Sequence, residues 1–303
     1  MDLSGRAPGR WWYVAFSIPF LKPSAEALVK QIKDLPPAPK VLLTLRRLLS
    51  QPDTTIDAIA DVITLEPGLS ARVVRMANST HFGGGRARVE SVAEGIHRVG
   101  VKGVQELVTY AVASQLVGQP LNAYGLSALK LWQRAVACAM AAGALAERTP
   151  DADRDDAYTA GLMHGLGLVV IDRYSAQQRR PRTFVSSGYP LDFAPAERDW
   201  LGYSHAEAGA ALLRLWDFPA PIAGVVAAQL DPESAEPQFR QLAMILATAR
   251  WARSLFCVPE EKLPELPSPA WLQGAGVDIP DFGDWLRLTR TRYMIACSEM
   301  QLG

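Results

Sequence analysis

Cysteine, histidine and net charge are all scarce in this chain of 303 residues, and each shortage removes a class of function. The three cysteines, Cys138, Cys257 and Cys297, lie far apart and form no CxxC pair. That argues against a disulfide framework and a cysteine-built zinc cluster, and it suits a reducing cytoplasm, the expected compartment. Lys plus Arg and Asp plus Glu are both 31, so the basic excess of a protein that grips nucleic acid is missing. No apolar run reaches the roughly 20 residues that a bilayer span requires. The nearest, "RWWYVAFSIPFL", is broken by Pro19, and Asp2 with Trp11-Trp12 fits a secretory signal poorly. Residues 1–25 are therefore expected to be an arm that packs on the body or on a partner. There is no GxSxG elbow, no histidine close in sequence to a cysteine, and no Lys-Ser/Thr after Gly83–Gly85 to make a P-loop. Period-two alternation bounded by turns is absent too, which leaves strands without a signal.

What is present is helical periodicity over a composition that is 49% hydrophobic and 20% charged, ample for a buried core. Ile56, Ile59, Ala60 and Ile63 mark one buried face, with Asp53 or Thr54 as the cap. Glu66-Pro67-Gly68 stops that helix, and the next is expected from Leu69 or Ser70, with Val73, Val74 and Ala77 inward. The same spacing recurs at Val104–Leu116, at Leu129, Trp132, Val136, Ala139 and Met140, and at Ala208, Ala211, Leu212, Leu215 and Trp216. "LGLVVI" is the best strand candidate, yet it continues a helical segment without a break. The fold class predicted is all-α. Pro and Gly punctuation divides the chain into the arm, a helical body over 26–257 with subdomains of about 26–118 and 119–257, a Pro/Gly-rich linker over 258–280, and a C-terminal helix over 281–303.

Taken together, "LEPGLSARVVRMANS", "IHRVGVKGVQELV", "AYTAGLMHGLGLVVI" and "YSHAEAGAALLRLWDFPAPI", in that order, resemble the HDOD family, helical relatives of the HD metal phosphohydrolases. The resemblance runs from about Leu35 to about Arg253. It implies a multi-helix bundle with a signalling or regulatory role whose metal chemistry has usually been lost. Members often sit beside receiver or cyclic-dinucleotide domains, so coupling here would be to signalling proteins in trans.

The residues test that implication. A catalytic divalent ion needs about three protein ligands and an open position, with carboxylate nearby to offset its charge. Arg134 stands where the first histidine of an HD enzyme is expected, and His164 is followed by Gly165 rather than aspartate. Gln229-Leu230 replaces a histidine, and Ala249-Arg250 replaces an aspartate. His205 survives, although Ser204 and Glu207 also read as a capping box. For His164 three roles stand open: a hydrogen-bonded core residue, a contact in a vestigial pocket, or a metal ligand. Asp151, Asp153, Asp155 and Asp156 are expected to be a solvated loop favouring a helix start, with a borrowed metal carboxylate as the alternative.

No cofactor or metal is expected, and no catalytic residue is assigned. Arg134, His164, His205 and Gln229 are the candidates for a vestigial pocket that could take a nucleotide or another anion. A basic stretch, Arg72, Arg75, Arg86, Arg88, Arg98 and Lys102, is the candidate surface for an anion or acidic partner. Nucleic acid is disfavoured there because stacking aromatics are sparse. Trp11-Trp12 and the helix bearing Trp285 and Leu286 complete the expected recognition surface, with burial in the core as the alternative for either tryptophan. The favoured reading is a non-enzymatic regulator that binds another protein. Its competitors are a metal-dependent phosphohydrolase of nucleotides or cyclic dinucleotides, and a ligand sensor.

Overall fold

The computed structural model describes residues 22–35, 40–49, 51, 53–65, 67–78, 87–101, 103–104, 119–186, 192–256, 267–277 and 279–300. Among them there is no strand, only an isolated bridge between Leu121 and Leu126, and the fold is all-α. No helix among the described residues is long and apolar enough to cross a membrane. The arm with Trp11-Trp12 lies outside the described residues.

Helix α1 (Ala25–Gln31) starts on Ser24, whose side chain accepts from the Ala27 amide at 3.2 Å. It packs on α10, within the second half of the chain. The first helical region continues through α2 (Lys40–Leu49), α3 (Ile56–Thr64), α4 (Pro67–Ala77) and α5 (92–101). In α3 the face marked by Ile59, Ala60 and Ile63 is buried as its spacing predicts. Its cap is Thr55, accepting from the Ala58 amide, rather than Asp53 or Thr54, since Thr54 turns its hydroxyl to the Leu48 carbonyl. Helix α4 begins two residues before the expected Leu69, because a proline fits the first helical position, where its missing N–H goes unused. Val73 and Ala77 are buried and Val74 is half-buried. Of the periodic run at 104–116, only Val104 is described, and it is buried.

The second region comprises α6 (Ala128–Ala146), α7 (Arg154–Met163), α8 (Leu166–Ala176), α9 (Ala194–Leu201), α10 (His205–Leu215), α11 (Ala220–Ala227) and α12 (Arg240–Phe256), with α7 and α12 packed on α6, and α8 and α11 packed on α10. Alanines and Cys138 on α6 leave it thin enough for other helices to close in on several sides. Two glycines set the closest crossings. A Cβ on Gly161 would lie 2.7 Å from the Ala139 Cα and 2.8 Å from the Cys138 carbonyl oxygen. One on Gly167 would overlap the His205 carbonyl oxygen, across from Gly209. The candidate strand "LGLVVI" is the start of α8. Two members of the predicted apolar faces are exposed instead, Leu129 in the first turn of α6 and Leu215 at the end of α10, where helix ends project past the core.

The expected linker contains α13 (Pro269–Gly274), which packs on α12. The last helix, α14 (Ile279–Met300), lies against α6. Trp285 is 1% exposed and stacks on Phe282, which in turn meets the Trp251 ring of α12. Of the two readings open for Trp285, the recognition surface is thereby corrected and the core reading holds. Its large apolar body is better buried than offered to solvent, and Leu286 beside it is half-buried.

Candidate functional site

His164 closes α7 and is 3% exposed. Its ring is held at both nitrogens. Nδ1 faces the Gly161 carbonyl oxygen at 2.5 Å, and Nε2 faces a guanidinium nitrogen of Arg253 from α12. Arginine has only donors, so Nε2 must accept and Nδ1–H must donate to Gly161. The ring is a neutral imidazole with its tautomer set by these two partners. Burial drives its pKa well below the ordinary value, and the charges of Arg253, Arg250 and Arg134 add to that, against the pull of the Gly161 carbonyl.

Further polar groups frame the ring. The Gln229 side-chain amide donates to the His164 carbonyl at 3.0 Å, and Arg250 donates to the Gln229 carbonyl at 2.5 Å. Arg134 on α6 acts on both His164 and Cys138, as do Arg250 and Arg253. Burial pushes the Cys138 thiol up to about 11, although the three arginines oppose it. The thiol is therefore protonated near neutrality and is no nucleophile. Arg250 is lowered to about 10, by burial first and by repulsion from Arg253 second, and it stays charged at neutral pH. The centre thus sets the guanidinium charges of Arg134, Arg250 and Arg253 to act on a buried, uncharged histidine.

Of the four pocket candidates, Arg134, His164 and Gln229 meet in this centre, while the contacts of His205 run elsewhere. Its Nδ1 lies 2.8 Å from Glu197 Oε2, and its backbone N–H donates to the same oxygen at 2.7 Å. The Tyr124 hydroxyl donates to Glu197 Oε1 at 2.8 Å. Burial works to raise the Glu197 pKa, but the His205 charge and these hydrogen bonds prevail and hold it below the ordinary value. Burial beside that carboxylate pushes the Tyr124 phenol well up. His205 also opens α10 inside the capping box of Ser204 and Glu207.

The aspartates cannot reach His164. Asp153 caps α7, accepting from the Asp156 amide at 2.8 Å, with Asp155 and Asp156 in the first turn. His164 is at the other end of that helix, roughly 15 Å away at 1.5 Å per residue. Among the described residues there is no group of three or more His, Cys, Asp and Glu side chains that could hold a metal ion. His81 lies outside the described residues.

Sequence reading missed Arg253 and Glu197. The signal for Arg253 was available, since Leu246, Ala249 and Arg253 follow helical spacing and place the arginine on a buried face. Glu197 had none, because its partners lie 8 and 73 residues away in sequence. In the basic stretch, Arg72, Arg75 and Arg88 are exposed, while Arg98 is half-buried and donates to the Ala77 and Ala87 carbonyls at 3.4 and 2.6 Å. Arg98 thus ties the chain before α5 to the end of α4. Arg86 and Lys102 lie outside the described residues.

Among the described residues the body is purely helical, with a histidine at the end of a buried helix and polar groups from neighbouring helices around it. The HDOD domain model matches residues 35–232, and the chain belongs to the HDOD family. It is 27% identical over 226 residues to an uncharacterized protein of Treponema pallidum (strain Nichols), covering 74% of this chain and 43% of that protein. The chain therefore spans less than half the length of that curated relative. Among solved structures it is similar to a Shewanella amazonensis SB2B protein provisionally named a phosphohydrolase, with TM-score 0.62, 25% identity, and coverage of 92% of this chain and 99% of that one. A Geobacter sulfurreducens HDOD domain protein of unknown function gives 0.64 at 21% identity, over 89% and 97% of the two chains. A Marinobacter aquaeolei VT8 protein provisionally named for signal transduction gives 0.66 at 21%, over 90% and 64%.

Proposed function

We propose that this chain is a non-enzymatic regulatory module that acts in the cytoplasm by binding a signalling protein, and that its HD metal centre is disabled. The observation that carries the reading is the Arg253 guanidinium on His164 Nε2. That lone pair is the one a metal would need, Nδ1 being turned to its own helix, and the group in front of it is a cation. The residues present do not fit a divalent ion. Three arginines surround the histidine where carboxylates would have to offset the ion's charge. His205, the other candidate imidazole, is committed to Glu197. The recognition surface is the exposed basic face of Arg72, Arg75 and Arg88, which suits an acidic partner.

Elemental analysis of protein purified without chelator or affinity-tag metal tests the disabled centre. Less than a tenth of an equivalent of iron, manganese or zinc per chain is expected. One equivalent, with hydrolysis of a phosphodiester, would overturn the reading. Capture from an extract of the source cell at low salt tests the partner. An acidic signalling protein retained by the wild type and lost from an Arg72→Glu/Arg75→Glu variant is expected, and retention unchanged by that variant would remove the basic face from the reading.

A further inference from the structure

Between Asp172 and Asp192 the chain carries Arg173, Arg179, Arg180 and Arg182 and no acidic residue. Arg173 lies near the end of α8, beside Asp172, and donates to the Gln119 side chain at 2.8 Å. The other three stand in the loop that follows, and all three are exposed. Among the described residues none of the three makes an ion pair or a side-chain hydrogen bond. The loop itself is fastened. The buried Ser175 hydroxyl accepts from the Arg182 amide at 2.7 Å and donates to the Arg182 carbonyl at 3.0 Å. Two residues on, the Phe184 amide donates to the Ala123 carbonyl at 2.7 Å. The Phe184 ring is buried, stacked on Tyr124 and tilted against Trp200. Val185, next in the chain, is 82% exposed. Because the backbone is held, binding there orders side chains only and not the loop.

We propose that this loop, with Arg179, Arg180, Arg182 and Val185, is a docking surface for an acidic segment of a partner protein. A guanidinium pairs with a carboxylate through two parallel hydrogen bonds, and arginine is enriched at protein interfaces. Val185 adds an apolar spot that carboxylates alone would leave unused, so the segment recognised carries aliphatic side chains among its acids. Nucleic acid fits less well, because its bases stack on open aromatic faces. The Phe184 and Tyr174 rings here are buried, and Trp200 is half-buried against both. A lipid surface needs more apolar area than one valine offers. The loop belongs to the second helical region, whereas Arg72 and Arg75 lie on α4 in the first. The inference stands on the loop alone and does not rest on the reading of that face or of the metal centre.

The test is fluorescence anisotropy with a labelled peptide of glutamates interspersed with leucines. It is titrated with the full chain carrying Arg72→Glu/Arg75→Glu, so that the face of α4 does not supply the signal. Saturable binding is expected, weaker at physiological than at low ionic strength, since exposed charges are screened. Adding Arg179→Glu, Arg180→Glu and Arg182→Glu should weaken it about tenfold or more. The urea midpoint should stay where it was, because these side chains tie nothing together in the fold. In the wild type, the peptide should slow labelling of Arg179, Arg180 and Arg182 by phenylglyoxal, read by mass spectrometry, a measurement that needs no variant. No binding, binding that the three reversals leave intact, or labelling that the peptide does not slow overturns the proposal. Tighter binding of a single-stranded oligonucleotide, or of vesicles of phosphatidylcholine and phosphatidylglycerol, overturns it too and assigns the loop to another class of partner. If partner capture is unchanged by the α4 reversal while the loop binds the peptide, the basic face of α4 falls and this surface stands.

Discussion

Removing the Glu197 carboxylate should destabilise the protein far more than any other single polar change in the second helical region. Glu197 is wholly buried and accepts from the His205 N–H, the His205 ring and the Tyr124 hydroxyl. In Glu197→Ala all three donors lose their acceptor inside the fold. Breaking a buried pair from one side costs about 3–5 kcal/mol. Glu197→Gln keeps the shape and one acceptor oxygen but loses the charge, and should cost about 1.5–3 kcal/mol. Urea unfolding at pH 7, followed by tryptophan fluorescence, reads both as lower midpoints at unchanged slope. The pH dependence adds a sign. The folded carboxyl titrates below its ordinary value of 4.5. Its stabilisation is therefore fully present above that value and is lost as pH falls through the folded pKa. The gap between wild type and Glu197→Gln should narrow on acidification below about pH 4.5. If both variants unfold within about 0.5 kcal/mol of wild type, the network is not the support that its geometry indicates.

The two glycines that flank His164 on either side should part company. Gly161→Ala, pressed on the α6 backbone, should lose about 1–3 kcal/mol or fail to fold, whereas Gly165→Ala, with its nearest atom 3.6 Å away, should change the urea midpoint little. The His164 ring should show no titration between pH 5.5 and 8 by nitrogen-15 NMR, because burial and the arginine charges keep it neutral throughout; a midpoint inside that range refutes the assigned tautomer. In a Cys257→Ser/Cys297→Ser background, Cys138 should resist thiol reagents until the protein unfolds, its pKa being about 11 and its side chain fully buried. Rapid labelling of the native protein would show that the α6–α12 contact opens freely.

The helices were legible because amphipathic spacing is a local property. Ile56, Ile59, Ala60 and Ile63 announce α3 within eight residues of chain, and Ser204 with Glu207 announces the start of α10 within four. Which residues converge was not local. Arg253 meets His164 across 89 residues, and Tyr124 meets Glu197 across 73. Periodicity could place Arg253 on an inner face but not say what it faced. Trp285 was misplaced for a related reason: its Pro-rich approach read as a linker, and only the packing of α14 on α6 shows the ring as core. The departures Arg134, Gly165 and Arg250 could be read directly, since each changes the charge or donor type that a metal demands. What His164 faces could not be, because Arg253 reaches it from a helix far along the chain.

An aspartate placed at Gly165 separates a steric obstacle to metal binding from an electrostatic one. A Cβ at Gly165 meets only the Leu131 Cδ1 atom, at the ordinary distance of 3.6 Å, so nothing at that position forbids a side chain. The obstacle is charge. A carboxylate placed next to His164 would find guanidinium groups already there, and it would pair with them before it paired with an ion from solution. It would also leave Nε2 occupied by Arg253. Gly165→Asp alone should therefore bind no manganese or iron by elemental analysis after dialysis against either metal. Gly165→Asp with Arg253→Ala frees the nitrogen and drops one cation, and it should bind more metal than either single variant, if still weakly for want of a third ligand. Stoichiometric metal in Gly165→Asp alone would show that Arg253 yields the histidine readily, and the disabled centre would then be one substitution from repair.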